Sequence, residues 1–206
     1  EYYDTCKLNY LSNIGVNDTL SLVIAPTTGC NFACPYCFEG EKKTKIITDE
    51  VIDCIIQFIN GYTSVKKLDL TWYGGEPLMA FNKIKQIIHK IRTECCVEIS
   101  YLLSDNIIKD MIELGFTHIQ ISFDGDEDNH NKTRFLKGSK RETFAKIIKN
   151  LDNLVNQTPD NFKIDLRINV NKTNEDDFVI LYKKFIQRYG AKKINPYPGF
   201  IRETSK

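Results

Sequence analysis

Short apolar segments of strand character alternate along the chain with longer amphipathic segments of helical spacing. The short segments are rich in β-branched and aromatic residues, which favour strands. Repeated strand and helix units of about 30 residues favour right-handed crossovers and a parallel sheet covered by helices. The order therefore predicts an α/β fold, as either an open doubly wound sheet or a partial barrel. Strands are predicted at residues 20–25, 68–73, 97–103, 118–123, 164–170 and 193–197.

Helices are predicted between these strands from apolar stripes and from start and stop signals. The first follows Thr48 as N-cap and stops at Gly61. Asn174 caps the last, and the acidic residues 175–177 in its first turn match the helix dipole. The other three are marked by isoleucines 84, 87, 88 and 91, by a start at Ser104 with a stop at Gly115, and by the stripe at residues 144–155.

Length and composition restrict the classes of protein. The chain has 206 residues, enough for one domain with a full hydrophobic core, so residues 1–206 are expected to form one core domain. No apolar run is long enough to span a bilayer, and the net charge of +1 lacks the basic footprint of a nucleic-acid binder. The segment from Glu1 to Asp4 lacks the basic start of a signal peptide, so the expected location is the cytoplasm.

The cysteines are the most informative residues. Three of the seven, Cys30, Cys34 and Cys37, have the spacing C-x3-C-x2-C in the loop after the first predicted strand, and loops at that end of a strand carry the chemistry of α/β proteins. Thiolates bind iron-sulfur clusters or zinc, and three of them leave one iron of a four-iron cluster without a protein ligand. A structural zinc site needs a fourth ligand, and the nearest histidine in sequence is His89.

The other cysteines are assigned no function. Cys54 falls within a helical apolar pattern, which predicts a core position, and the adjacent pair Cys95 and Cys96 lacks the spacing of a cluster site. Cys6 has no partner at cluster spacing.

At the three spaced cysteines the sequence resembles the radical S-adenosylmethionine (SAM) superfamily, whose cluster motif has an aromatic residue before the third cysteine, here Tyr36. The resemblance implies that Cys30, Cys34 and Cys37 hold a four-iron, four-sulfur cluster (4Fe-4S). It also implies that SAM chelates the open iron and that the backbone around Tyr36 contacts the adenine. A zinc knuckle or unrelated buried thiols are the structural alternative.

The second predicted strand ends in Gly74-Gly75-Glu76-Pro77, which looks like the GGEP motif of the same superfamily. Two glycines allow the backbone to come close to a ligand, so their carbonyls can accept hydrogen bonds from the SAM ammonium group. By this resemblance Gly74, Gly75 and Glu76 are cofactor-binding residues. The alternative is an ordinary turn before a helix.

The segment from Gln120 to Arg134 resembles the fourth-strand region of peptide- and protein-modifying members of the family. There Ser122 and Arg134 correspond to residues that bind the carboxylate or ribose of SAM, and a guanidinium can pair with a carboxylate through two hydrogen bonds. Their structural alternatives are a strand-end hydroxyl and a solvated loop charge. Asp124 is expected to form an Asx-turn with Gly125, and His130 to lie on a surface loop, with a substrate contact as the lesser alternative.

The resemblance covers essentially the whole chain and implies a partial (β/α)6 TIM barrel of parallel strands. Relatives carry Thr-Asn-Gly after the third strand, whereas residues 98–103 here lack it, so that loop is altered or shortened. The given sequence, which ends at Lys206, does not include the Cys-rich C-terminal extension called SPASM or twitch. We therefore expect the chain to be the core of a longer enzyme.

The resemblance implies an enzyme that reductively cleaves SAM to a 5′-deoxyadenosyl radical, using an external one-electron reductant. The radical then takes a hydrogen atom from a substrate. The favoured substrate is a peptide or protein side chain, and Tyr73, where sulfatase maturases carry Gln or His, favours a peptide maturase. The alternatives are an anaerobic sulfatase-maturase-like enzyme, a small-molecule or RNA-base enzyme, and a non-catalytic metal-binding or electron-transfer module.

Overall fold

The computed structural model describes residues 18–37, 43–95, 107–172 and 174–201. These residues form two compact units. The first unit contains residues 18–30 and 43–95, and the second contains residues 31–37, 107–172 and 174–201. Of the helices in this part of the chain, none is long and apolar enough to cross a membrane.

The first unit is built on two parallel strands. Strand β1 (Thr19–Thr27) pairs with β2 (Lys67–Gly74), with Leu22 opposite Leu70. Alternate side chains of a strand point to opposite faces, and Leu20, Leu22, Ile24, Leu68, Leu70 and Trp72 contribute to one apolar cluster. The cluster is completed by buried isoleucines of two helices, α1 (Asp49–Asn60) and α2 (Phe81–Glu94). A short 3-10 turn, Pro77–Ala80, connects β2 to α2.

The predicted ends of α1 are confirmed. Thr48 is its N-cap with extended backbone, and Asp49 and Glu50 stand in the first turn, where negative charge is stabilised by the helix dipole. Gly61 is the C-cap, with an ordinary right-handed φ of −67°. The core position expected for Cys54 is wrong, because its side chain is exposed on the side of α1 away from Ile52, Ile56 and Ile59.

The second unit is built on three parallel strands in the order β3 (His118–Phe123), β4 (Lys163–Val170) and β5 (Ile194–Phe200). Phe123, Ile164, Leu166 and Ile168 are buried, as are side chains of the flanking helices. Pro196 and Pro198 alternate along β5 and cannot donate backbone hydrogen bonds, which suits an edge strand. The helices are α3 (Ile107–Glu113), α4 (Glu127–Thr133), α5 (Phe144–Gln157) and α6 (Glu175–Tyr189).

Five of the predicted strands are confirmed as parallel strands, and Asn174 is the N-cap of α6 as predicted. The predicted strand at 97–103, the altered loop there and the helix start at Ser104 lie outside the described residues. The described strands form one two-stranded and one three-stranded sheet, so they do not close a barrel. Helix α4 was not predicted, because its sequence Glu-Asp-Asn-His-Asn-Lys-Thr has no apolar stripe.

Candidate active site

The last two motif cysteines lie at the two ends of one tight turn. The amide of Cys37 donates to the carbonyl of Cys34 over 3.1 Å, with Pro35 and Tyr36 between them. Proline is favoured at the second position of such a turn because its φ is already fixed. We call residues 34–37 the cysteine turn. It belongs to the second unit, whereas Cys30 ends the first unit just after β1.

Cys37 is exposed, and Cys30 and Cys34 are half-buried; among the cysteines that the structure describes, no disulfide joins the three motif cysteines. Within the described residues, no three His, Cys, Asp or Glu side chains are already arranged as a metal site. Ligation of a cluster by Cys30, Cys34 and Cys37 therefore stays a prediction.

The chain just before the cysteine turn is tied to the segment after α4. Phe32 forms an antiparallel bridge with Leu136, and the amide of Ala33 donates to the carbonyl of Phe135 over 3.2 Å. The amide of Lys137 donates to the carbonyl of Asn31 over 2.8 Å. These backbone bonds fix the entry into the turn independently of any metal.

Tyr36, inside the turn, is anchored to a buried carboxylate. Its hydroxyl donates to Oδ2 of Asp124 over 2.5 Å, and Asp124 is only 2% exposed. The same carboxylate accepts hydrogen bonds from the Thr133 hydroxyl at 2.7 Å and from the Asn169 side-chain amide at 2.8 Å. A buried carboxylate is expensive unless its oxygens are satisfied, and these three donors meet that need. We call Tyr36, Asp124, Thr133 and Asn169 the anchor network.

Burial, followed by the neighbouring Asp124 carboxylate, raises the pKa of Tyr36 far above that of an ordinary tyrosine. The phenol therefore stays protonated at every physiological pH and remains a hydrogen-bond donor. The turn is held by a neutral donor on a charged acceptor, a pairing that is stronger than one between neutral groups.

Arg134 places a positive charge beside the cysteine turn. Its Nη1 donates to the Tyr36 oxygen over 3.4 Å, and its guanidinium lies 4.8 Å from the centre of the Phe32 ring. Burial lowers the pKa of Arg134, but the negative charges that Tyr36, Cys34 and Asp124 can carry raise it above its ordinary value overall. A cation next to Cys34 favours the thiolate form, which is the form that binds metal. The Nε of Arg134 is buried and has no hydrogen-bond partner among the residues that the structure describes.

Two expectations near this network are wrong. Asp124 does not form an Asx-turn, because the amide of Asp126 donates to the Asp177 carboxylate at 2.9 Å instead. His130 is fully buried rather than on a surface loop. It lies in α4, where the ring packs against Phe123 and Phe144.

The hydrogen bonds of His130 assign its protonation state. Nδ1 accepts from the amide of Asp124 at 3.3 Å, so Nε2 carries the proton and faces the Thr143 hydroxyl at 3.1 Å. Burial lowers the pKa of His130 to about 4, although the Asp124 charge acts in the opposite direction. The ring is therefore neutral near pH 7 and supports the strand end that carries Asp124.

In the first unit, the glycine pair lies against the backbone that leads to Cys30. A Cβ atom on Gly74, which has a φ of +121°, would collide with the carbonyl oxygen of Thr27, and one on Gly75 would collide with that of Gly29. The amide of Glu76 donates to the Gly29 carbonyl at 2.8 Å, and its carboxylate accepts from the amide of Leu78 at 3.2 Å. The close approach expected of the glycines is thus made to the chain itself, and contacts of Gly74, Gly75 and Glu76 with SAM stay predictions.

Ser122 lies on β3, with Arg167 of β4 and Tyr197 of β5 beside it in register. Its predicted partner Arg134 lies after α4, next to Tyr36. Sequence reasoning assigned no role to Asn169 or Arg167. The available signal was the pair of polar residues, Arg167 and Asn169, at alternate positions near the end of an otherwise apolar strand.

The comparisons with known proteins identify the family to which the chain belongs. The family model described as "Radical SAM superfamily" matches residues 24–185. A GTP 3′,8-cyclase of Clostridium perfringens is 30% identical over 142 residues, covering 65% of this chain and 43% of the relative. The serine-type anaerobic sulfatase-maturating enzyme of Bacteroides thetaiotaomicron is 29% identical over 140 residues, covering 60% of this chain and 33% of the relative.

Solved structures show the same fold. The structure of native anSMEcpe with bound AdoMet and Cp18Cys peptide matches with a TM-score of 0.70 at 21% identity, over 91% of this chain and 52% of that one. Streptococcus suis SuiB bound to precursor peptide SuiA matches with a TM-score of 0.60 at 15% identity, over 98% of this chain and 45% of that one.

In each of these comparisons the chain spans about half of its relative or less, from 33% to 52%. The family match itself covers most of the chain and includes the cysteine motif, the glycine pair and the anchor network. The chain therefore belongs to the radical SAM superfamily, whose cofactors are a 4Fe-4S cluster and S-adenosylmethionine.

Proposed function

We propose that this chain is the SAM-cleaving core of a peptide maturase, an enzyme that modifies a peptide or protein side chain. The observation that carries the SAM part is the cysteine turn, held by the buried Tyr36–Asp124 hydrogen bond beside Arg134. The peptide part rests on the fold shared with SuiB and anSMEcpe, whose structures contain peptides. In the whole protein, the core forms a partial (β/α)6 barrel.

The residues present fit an iron-sulfur cluster. Cys34 and Cys37 stand at the ends of one turn, Cys30 precedes it by four residues, and no disulfide among the described cysteines involves them. The charge of Arg134 favours the thiolate of Cys34. Three thiolates hold three irons and leave one open for a small ligand. When bound there, the cluster and SAM supply a one-electron reductive cleavage that starts radical chemistry.

The other assigned residues bind SAM and orient it. The backbone at Gly74 and Gly75 accepts from the ammonium group, and Glu76 fixes that backbone by capping the turn that follows. Ser122 and Arg134 bind the carboxylate or ribose. The buried Nε of Arg134, which has no hydrogen-bond partner in the described part of the chain, is a donor available for it. The Tyr36 backbone contacts the adenine. The electron comes from an external one-electron reductant.

A second candidate is a small-molecule enzyme, which the GTP 3′,8-cyclase relatives favour. A third is an enzyme like the sulfatase maturases. Tyr73, where sulfatase maturases carry Gln or His, favours the peptide maturase over the third candidate. It lies on β2 directly before the glycine pair and is 49% exposed, so it offers an aromatic surface and a hydroxyl to a substrate side chain.

Anaerobic reconstitution tests the proposal. We expect about four iron and four sulfide per chain and release of 5′-deoxyadenosine with dithionite, whereas about one zinc and no SAM binding would leave only a metal module. Cys34→Ala should lose the brown absorbance and the SAM cleavage, with Cys54→Ala as the matched control on an exposed cysteine outside the motif. A precursor peptide encoded beside the gene should change in mass, and conversion of GTP instead would establish the second candidate.

A further inference from the structure

The three-stranded sheet of the second unit has one apolar and one polar face. Ile164, Leu166 and Ile168 are buried on one face, so the residues between them point to the other. The register places two rows of polar side chains on that other face. We call it the polar face, and its rows are Gln120, Asp165 and Asn195, and Ser122, Arg167 and Tyr197.

The first row satisfies its own charges. One oxygen of Asp165 accepts from the Asn195 side chain at 3.0 Å, and the other lies 3.0 Å from Nε2 of His118, so each carboxylate oxygen has a neighbour. The hydroxyl of Tyr197 donates to the Gln120 side chain over 2.6 Å, which links the two rows. The only carboxylate of the two rows therefore has partners other than an arginine.

Arg167, in the second row, is a half-buried cation with one hydrogen bond. Its Nε donates to Oδ1 of Asn169 over 3.0 Å. Across the parts of the chain that the structure describes, neither Nη has a hydrogen-bond partner and no acidic side chain pairs with the guanidinium. Asn169 cannot turn away, because it is 5% exposed and its amide group donates to Asp124.

Gly199 keeps space for this side chain. A Cβ atom there would collide with Nε of Arg167 and would lie 2.9 Å from its Cγ and 2.9 Å from Oδ1 of Asn169. The charge of Arg167 also reaches Tyr197, where it acts to lower a pKa that burial raises. The guanidinium is thus held in place at Nε, with both Nη groups left to donate. That fixed fork matches the geometry of a carboxylate.

We propose that Arg167 binds a carboxylate of the substrate, which is an acidic side chain or the C-terminus of a peptide. The proposal rests on the proposed function insofar as the substrate is a peptide. The proposed function already gives Ser122 and Arg134 to the carboxylate or ribose of SAM, and SAM has only one carboxylate. We therefore assign the second arginine, Arg167, to a second acid. Because Ser122 lies beside Arg167 in register, an acid bound there would lie next to the amino-acid end of SAM.

Chemical labelling of Arg167 tests this in the wild-type holoenzyme. The reconstituted protein, saturated with SAM, is treated with phenylglyoxal, and modification of Arg167 is measured by mass spectrometry of proteolytic peptides. Acetyl-glutamate amide is the probe, and acetyl-glutamine amide, which lacks only the charge, is its matched control. At about twice its Kd the probe leaves a third of the sites free, so labelling should slow about threefold. The glutamine compound should have no effect.

Two outcomes would overturn the proposal. One is equal labelling of Arg167 with both compounds. The other is that SAM without any probe protects Arg167 from labelling while decarboxylated SAM does not, which would mean that Arg167 binds the carboxylate of SAM. In a second measurement, saturation-transfer NMR of acetyl-glutamate amide should lose its signal with Arg167→Gln and keep it with Arg141→Gln, an exposed arginine of the same unit. Equal signals with both variants would also overturn it.

These readouts are separate from the proposed function. If acetyl-glutamate amide protects Arg167 but the protein never cleaves SAM, the proposed carboxylate site is supported and the proposed radical reaction is contradicted. If SAM is cleaved and acetyl-glutamate amide protects nothing, the radical reaction stands and the carboxylate site fails.

Discussion

The cysteine turn and the glycine pair are two parts of the proposed site that are fixed in different ways. The turn is held by side chains, through hydrogen bonds from Tyr36, Thr133 and Asn169 to one buried carboxylate. The glycine pair is held by backbone, with Gly74 and Gly75 packed against the carbonyls before Cys30. Side-chain anchors can be removed one hydrogen bond at a time, whereas a backbone contact without room for a Cβ fails with the first added atom. Substitutions in the anchor network should therefore weaken the cysteine turn in steps. A single added Cβ at the glycine pair should disrupt that region completely.

The largest effect should come from Gly75→Ala. The new Cβ would collide with the carbonyl oxygen of Gly29 and lie 2.8 Å from that of Thr28, and neither backbone atom can move cheaply. Overpacking of this kind should lower the free energy of unfolding by on the order of 4 kcal/mol, measured by urea unfolding. It should also abolish SAM binding.

Gly138→Ala is the matched control for this prediction. Gly138 has a φ of +83° but nothing within 4 Å of an added Cβ, so it reports backbone strain without collision. The free energy of unfolding of Gly138→Ala should fall by about 1 kcal/mol. Equal losses at the two glycines would show that the close approach at Gly75 is not what fixes this region.

Asp124→Ala should have the next largest effect, because it removes the acceptor shared by the anchor network. Among the described residues, the Tyr36 hydroxyl would keep no acceptor. As acceptors, Thr133 would keep only backbone carbonyls of its own helix, the nearer at 3.0 Å, and Asn169 only the Tyr36 oxygen at 3.5 Å. The free energy of unfolding should therefore fall by about 3 kcal/mol. The iron content after reconstitution should fall with it, because the whole anchor network behind the turn loses its common acceptor, and not only the Tyr36 bond. Asp177→Ala, which removes the acceptor for the amide of Asp126, tests another carboxylate of the same unit and should leave the iron content near wild type. Equal iron losses in both variants would mean that Asp124 acts on folding alone.

Acid should weaken the anchor region before the glycine region. The folded pKa of His130 is about 4 against an ordinary value of 6.5, so the unfolded chain takes up the proton first as the pH falls. The stabilisation by the neutral ring is fully present above pH 6.5. The free energy of unfolding should fall by about 2 kcal/mol between pH 7 and pH 5. Hydrogen exchange measured by mass spectrometry should accelerate in α4 over this range but not in α1. His130→Phe should remove the difference, and a parallel acceleration in α1 would contradict this assignment.

These predictions also show how far the sequence leads. Thr48, Gly61 and Asn174 were found at their helix ends from local signals, because a cap depends on the few residues next to it in the chain. The parallel strands followed from apolar patterns of the same local kind. The spacing of the cysteines identified the motif.

The anchor network could not be found in this way. Asn169 and Asp124 are 45 residues apart, and Tyr36 and Asp124 are 88 apart, so no local pattern links them. His130 was missed because α4 has no apolar stripe, and its N-cap Asp126 is itself held by Asp177 from another helix. Burial of a polar residue depends on partners brought by the whole fold, which a periodicity does not encode.

The smallest and sharpest test is Tyr36→Phe, which removes one oxygen from the anchor network. Asp124 would keep Thr133 and Asn169 as donors, so the free energy of unfolding should fall by only about 1 kcal/mol. The aromatic ring of the motif remains, and so does the backbone of the turn, so the iron content should stay near wild type. What should change is how firmly the turn is held: loss of iron to a chelator should be faster, and Arg134 loses its contact with the phenol oxygen. A chelation rate equal to wild type would mean that the turn is fixed by its backbone bonds to residues 135–137, and the contrast with the glycine pair would disappear.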